Sequence, residues 1–210
     1  MEIRGLVWAA RGDRQYQLDV NPFRVAAGEI GIIDAVAAVG SALSDVLVGL
    51  AYPLRGDMRV RDKPVGDLPP GGRGIGLVPN GGGLLPHLTV ERNVAFGLGG
   101  IMPRPRRRAQ VGEALEALAL AHLRRLRPHE ISPEQRLRVA VARAMCASPE
   151  TVAVVVEDGV GSATCRVAAM TAAEQDLSVL VISGEPSRAA EIPWRVRAVC
   201  QPVPASGETC

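Results

Sequence analysis

Two short segments of unbroken apolar sequence constrain the fold most, Val152-Ala153-Val154-Val155-Val156 and Val179-Leu180-Val181-Ile182. A strand with one wet face alternates apolar and polar residues, whereas a strand covered on both faces is apolar throughout. Two such runs predict the interior of a parallel sheet, whose strands are joined by crossover helices. The chain supplies helices to match. Ser132-Pro133-Glu134-Gln135 reads as a helix start, with an N-cap serine, proline at the first helical position and Gln135 closing a capping box. Leu137, Val141, Ala144 and Met145 then form its buried stripe. Between Ser41 and Leu50, the residues Leu43, Val46, Leu47 and Leu50 fall on one helical face. Strands alternating with helices predict an α/β fold.

The remaining elements follow the same logic. Ile3 to Ala9 is strand-compatible, Gly12-Asp13 marks a turn and Tyr16 to Val20 alternates. Ile30 to Ile33, Met58 to Val60 and Ile75 to Val78 are further strands, the last closed by Pro79 and the glycines 81–83. Thr89 precedes a helical pattern of Val90, Val94 and Phe96, broken by Gly97, Gly99 and Pro103. Arg108 to Leu126 places Val111, Leu115, Leu118 and His122 on one stripe. The dense run Arg104-Pro105-Arg106-Arg107-Arg108 reads as a solvated linker rather than a contact to phosphate or anionic lipid. No internal repeat is evident.

Composition removes several function classes. The 210 residues carry 24 basic and 22 acidic side chains, a formal net charge of +2, which argues against a dedicated nucleic-acid binder. Cys146, Cys165, Cys200 and Cys210 are scattered without metal-ligand spacing, which fits neither a zinc site nor a disulfide framework and suits a reducing cytoplasm. Glu2 and Arg4 flank a short apolar start, unlike a signal peptide. The most lipid-like stretch, Ile30 to Leu54, is interrupted by Asp34 and Asp45 and falls short of the ~20 apolar residues that span a bilayer. Lys63 is the single lysine. Chemistry that needs a buried lysine at any other position is excluded.

Gly28-Glu29-Ile30, Asp67-Leu68-Pro69-Pro70, the block Leu84 to Leu98, Pro128 to Ser132 and the helix from Gln135 to Ala144 occur in one order. In that order the chain resembles the nucleotide-binding subunit of ATP-binding cassette (ABC) transporters, importer type, of the kind serving molybdate, sulfate or polyamine systems. The resemblance runs from about residue 3 to 185. It implies a RecA-like P-loop NTPase core over residues 1–83 and 134–200 and a helical subdomain over 84–133; residues 201–210, with two prolines and a glycine, read as a flexible tail. ATP and Mg²⁺ are the cofactors that such a family implies.

The sequence departs from the family at each catalytic motif. The phosphate loop, G-x-x-x-x-G-K-[ST], uses glycines to aim backbone amides at phosphate and a lysine to neutralise charge. The corresponding interval is Asp34-Ala35-Val36-Ala37-Ala38-Val39-Gly40-Ser41. Asp34 and Val39 hold the two glycine positions and Gly40 the lysine position. Ser41 alone matches, and reads as a serine at a helix N-terminus rather than a magnesium ligand. Losing three charge-assisted contacts at roughly 1.5–3 kcal/mol each removes on the order of three decades of affinity or more. Asn80 stands for the family's glutamine, in a loop that three glycines leave weakly specified. The signature position reads Ser132, Pro133, Glu134, Gln135, a sound helix start in which Pro133 deletes an amide donor and Glu134 opposes an anion. The catalytic strand ends in Glu157-Asp158, reversed from the family's Asp-Glu. No histidine follows Ile182, and Trp8 and Tyr16 flank the place where adenine stacks without clearly filling it.

These departures predict a pseudo-ATPase in which ATP and Mg²⁺ binding is weak or absent. The resemblance then implies a subunit that does not hydrolyse ATP, in the cytoplasm or peripheral on the cytoplasmic face of the membrane. Its partners would be a membrane permease and an active ABC subunit, as a possible dimer. The alternatives are a soluble regulatory or binding module on the same scaffold, and a weakly active ATPase.

Overall fold

A computed structural model describes residues 1–10, 12, 14–98, 102–147, 149, 151–156, 174–184 and 195–204. Its strands are β1 (Glu2–Ala9), β2 (Gln15–Leu18), β3 (Phe23–Arg24), β4 (Ile30–Asp34), β5 (Arg55–Val60), β6 (Lys63–Pro64), β7 (Ile75–Val78), β8 (Thr151–Val156), β9 (Ser178–Ser183) and β10 (Val196–Pro202). Its α-helices are α1 (Ala37–Val48), α2 (Val90–Phe96), α3 (Arg104–Ala117) and α4 (Pro133–Cys146). Among the described residues the strands form one sheet in the order β6-β5-β1-β2-β10-β4-β9-β8-β7, with β3 paired to β1. From β10 to β7 the neighbours are parallel; β2, β1, β5 and β6 continue antiparallel.

The apolar runs sit where their composition requires. Along β9, Val179 and Val181 join the cluster containing α4, while Leu180 and Ile182 join the cluster containing α1. Ile32 and Ile33 of β4, and Val152 and Ala153 of β8, divide the same way. Each strand thus buries both faces, α1 covering one and α4 the other. Fully burying one such side chain contributes about 1.5–3 kcal/mol. Gly31 of β4 is required by this packing, because a Cβ there would lie 2.4 Å from Val25 Cγ2.

Between β7 and α4 lies the helical part. Thr89 caps α2 through its side chain, accepting from Arg92 N. The buried Asn93 holds the preceding loop, accepting from Leu85 N at 2.8 Å and donating to the carbonyls of Leu85, Leu88 and Thr89. Gly97 lies so close to α4 that a Cβ would sit 2.0 Å from Arg143 O.

Three expectations are corrected here. The run Arg104–Arg108 is no linker but the opening of α3, where Pro105 occupies the first turn that tolerates it. That helix ends at Ala117, after which Ala119 adopts positive φ, so His122 lies in a separate 3₁₀ turn and is exposed rather than on the buried stripe. The tail does not begin at residue 201: Gln201 and Pro202 pair with Gln17 and Tyr16 in the sheet, and Val203 N donates to Gln15 O. Residues 205–210 lie outside the described residues.

Candidate functional site

In a parallel sheet with helical crossovers, ligands bind at the carboxyl ends of the strands. Here β4, β7, β8 and β9 are parallel neighbours, so Asp34, Val78 and Val156 end their strands at one edge of the sheet, with Asn80 two residues after β7. Glu157 and Asp158, expected to continue from β8, lie outside the described residues, as does the segment after Gly184.

The connection from β4 to α1 is only Ala35 and Val36. Ala37 and Ala38 are the best helix formers, and with no glycine among residues 34–39 nothing delays helix nucleation. The helix therefore starts at Ala37, four residues before the predicted Ser41, and absorbs the positions that would form a phosphate-binding loop. The amides of Val39 and Gly40 donate to Val36 O at 2.8 and 2.9 Å, and Ala35 N donates to Ser183 O at 2.9 Å. Ser41 is consequently the fifth helical residue, exposed, and not the helix N-terminal serine expected from the sequence.

Gly40 is buried against β9. A Cβ at this position would lie 2.9 Å from Ile182 Cγ2 and 3.5 Å from Ala35 Cβ. Ile182 is branched, stiff and 1% exposed, so it has nowhere to yield. A lysine at position 40 has no room without displacing the strand. Val39 is likewise core, at 3% exposure. Asp34 ends β4 and is 7% exposed. Its Oδ2 accepts from Arg197 Nε of β10 at 2.6 Å, while Oδ1 is buried without a partner among the described residues. The first position of the loop thus holds a carboxylate with its own counter-charge. Residues 34–41 carry no cationic side chain, the amides of Ala35, Val39 and Gly40 are already paired, and the Arg197 guanidinium is engaged by Asp34.

The loop from Asn80 departs from expectation in another way. Gly81, Gly82 and Gly83 all have positive φ, which only glycine adopts readily, and together they turn the chain tightly. Arg143 of α4 fixes the turn, donating from Nη1 to Gly83 O at 2.8 Å and from Nη2 to Gly82 O at 2.9 Å. The glycines shape a tied loop, not a weakly specified one, and sequence spacing alone gave no sign of Arg143. At the signature position both halves of the capping box form, Gln135 N to Ser132 Oγ at 3.2 Å and Ser132 N to Gln135 Oε1 at 2.9 Å. Pro133 is the first helical residue. The Glu134 carboxyl is held below its ordinary range by hydrogen bonds at this helix start, its own amide first and Ser132 next, which favours its charged form. No hydrogen bond joins Ser132–Gln135 to residues 34–41 among the described residues.

Trp8 is fully buried, its Nε1 without a hydrogen-bond partner among the described residues, and Tyr16 is half-buried against the same core. Both serve packing. A residue that sequence reasoning missed is Arg73, 1% exposed, which donates to Val46 O and Gly66 O at 2.6 Å and to Leu68 O at 2.7 Å. It caps the C-terminus of α1, and Gly49, with φ 93°, leaves the space it occupies.

The profile of the ABC transporter family matches residues 40–154, more than half of the chain. The chain belongs to the ABC transporter family. The match begins at Gly40, within the altered segment. The cassette is 38% identical over 118 residues to the molybdate/tungstate import ATP-binding protein WtpC of Archaeoglobus fulgidus, covering 56% of this chain and 49% of that protein. It is 33% identical over 147 residues to the maltose/maltodextrin import ATP-binding protein MalK of Yersinia pestis bv. Antiqua, covering 69% of this chain and 39% of that one. The chain thus spans about half or less of the length of these curated relatives. Among solved structures, a dimeric bacterial ABC transporter cassette aligns with TM-score 0.73 at 20% identity, covering 97% of this chain and 99% of that one. This likeness establishes the fold, a RecA-like P-loop NTPase core. Among the described residues, no helix is long and apolar enough to cross a membrane.

Proposed function

We propose that this ABC cassette is a pseudo-ATPase, a subunit that keeps the family scaffold and has lost nucleotide hydrolysis. The observation that carries the proposal is Gly40, packed 2.9 Å from Ile182 at its virtual Cβ, in a helix that begins two residues after β4. The lysine is not merely missing; its place is occupied by core packing. The Asp34–Arg197 pair, its carboxylate buried, supports the same reading, because an incoming phosphate meets a carboxylate whose counter-ion is already used. The reversed Glu157-Asp158 and the Pro133-Glu134 signature add to it from the sequence.

In this proposal residues 84–133 form the helical subdomain, with the RecA-like core on either side, and the retained block Leu84 to Leu98 faces a permease. Its organisation by the buried Asn93 supports a surface kept for a partner. Its likeness to import ATP-binding proteins supports a membrane permease as the partner class; in this reading an active ABC subunit supplies turnover from the opposite half of a heterodimer. The cassette would then be peripheral on the cytoplasmic face.

Equilibrium titration with a fluorescent ATP analogue and Mg²⁺ tests the central claim. The expected result is no saturation in the micromolar range. Saturable micromolar binding, with turnover near 1 per second or more that is lost on Glu157→Gln or Asp158→Asn, overturns it.

A further inference from the structure

At the sheet edge opposite the nucleotide motifs lies a cleft of about 510 Å³. It is flanked by the starts of β1, β8 and β9, because Thr151 and Ser178 are the first residues of their strands. The strand register builds its charge. Glu2 of β1 stands directly across from Arg24 of β3 on one side and Arg59 of β5 on the other. Arg4, two residues along β1, faces the same side. Arg61, in the turn after β5, completes a rim of four arginines against two carboxylates, Glu2 and Asp62. Asp57, outside the cleft lining, pairs with Arg59 at 2.9 Å.

Glu2 uses only part of this capacity. It accepts from Arg4 Nε and Nη2 and from Arg24 Nε, which pulls its carboxyl down to about 2. Arg4 Nη1 and both Arg24 Nη atoms donate in no hydrogen bond among the described residues. In the floor, Thr151 is fully buried and its Oγ1 has no hydrogen-bond partner among the described residues. Planar guanidinium forks match phosphate and carboxylate oxygens, and a concave site of this size suits a small metabolite rather than a polymer. We propose that this cleft is a binding site for a small phosphate monoester, held by Arg4, Arg24 and Arg59, with Glu2 as a built-in competitor that sets the affinity. The site is independent of nucleotide binding and lies on the far side of the sheet from it.

The test is titration of the full chain with inorganic phosphate and, separately, glycerol 3-phosphate, at pH 8 and constant ionic strength, followed by calorimetry. Saturable binding is expected, tighter for the monoester than for inorganic phosphate. Arg24→Ala should weaken it about tenfold, and Glu2→Gln should tighten it several-fold by releasing two guanidiniums. Arg108→Ala, which removes an equal charge from α3, should leave it unchanged. Far-UV circular dichroism verifies that each variant is folded, and the exposed Arg24→Gln replaces any that is not. Binding that does not saturate by 10-millimolar order concentrations, or that is indifferent to Arg24→Ala and Glu2→Gln, overturns the proposal.

Discussion

Restoring the family lysine should harm this protein rather than revive it. In Gly40→Lys, the new Cβ lies 2.9 Å from Ile182 Cγ2, a contact that ordinary packing does not tolerate. Replacing a helical glycine gains about 0.7 kcal/mol of propensity. Overpacking a close-packed core costs about 1–3 kcal/mol. The balance is a net loss of about 0.3–2.3 kcal/mol, and more if the ammonium is held out of water instead of reaching the surface along its stem. At a urea m-value of about 2 kcal/mol/M, the midpoint should fall by roughly 0.2–1.2 M. The neighbouring Ser41→Lys adds the same charge at an exposed position and should shift stability by under about 0.5 kcal/mol. Urea denaturation monitored by circular dichroism measures both, and the fluorescent ATP analogue measures recovery of the site. If Gly40→Lys matches the parent in stability and binds nucleotide at micromolar concentration, the closed-site reasoning is wrong.

Other consequences follow from the buried polar groups. Arg73→Met should lower stability by about 3 kcal/mol, since three closely held carbonyls lose their donor; Arg73→Lys should recover little of this, because an ammonium cannot reach three divergent carbonyls. Arg197→Ala strands the Asp34 carboxylate, and because Arg197 is about a third exposed the loss should be nearer 1–2 kcal/mol than the 3–5 of a fully buried pair; adding Asp34→Asn should restore part of it in a double-mutant cycle. Ser132→Ala should cost about 1 kcal/mol through the capping box without altering any activity. Burial raises the Cys146 thiol to about 11 and the Cys200 thiol to about 12. Both are protonated longer in the folded than in the unfolded chain, so their contribution is intact below about pH 9 and is lost between pH 9 and 12. Thermal melts across that range should show falling stability, and Cys146→Ala with Cys200→Ala should flatten the decline.

Much of the scaffold was legible because its signals are local. The unbroken apolar runs of β8 and β9, the helical pattern after Thr89 and the Ser132-Pro133-Gln135 start each specify an element from residues close in sequence, and all formed as read. Elements failed where a distant partner decides. Arg143 lies 60 residues from the glycine loop it ties, and Gln201 joins the sheet only because β2 runs beside it.

The altered site divides along the same line. The sequence alone determined that no lysine stands at position 40, that aspartate replaces a loop glycine and that the family scaffold persists. Only the tertiary structure decided what fills the space: α1 extended back to Ala37, Gly40 pressed onto Ile182, and Asp34 paired with Arg197, 163 residues away. Residue types report which chemical groups a chain has lost. Whether the vacated place stays open depends on how helix and strand close upon it, and that is a property of packing between segments that no local pattern encodes.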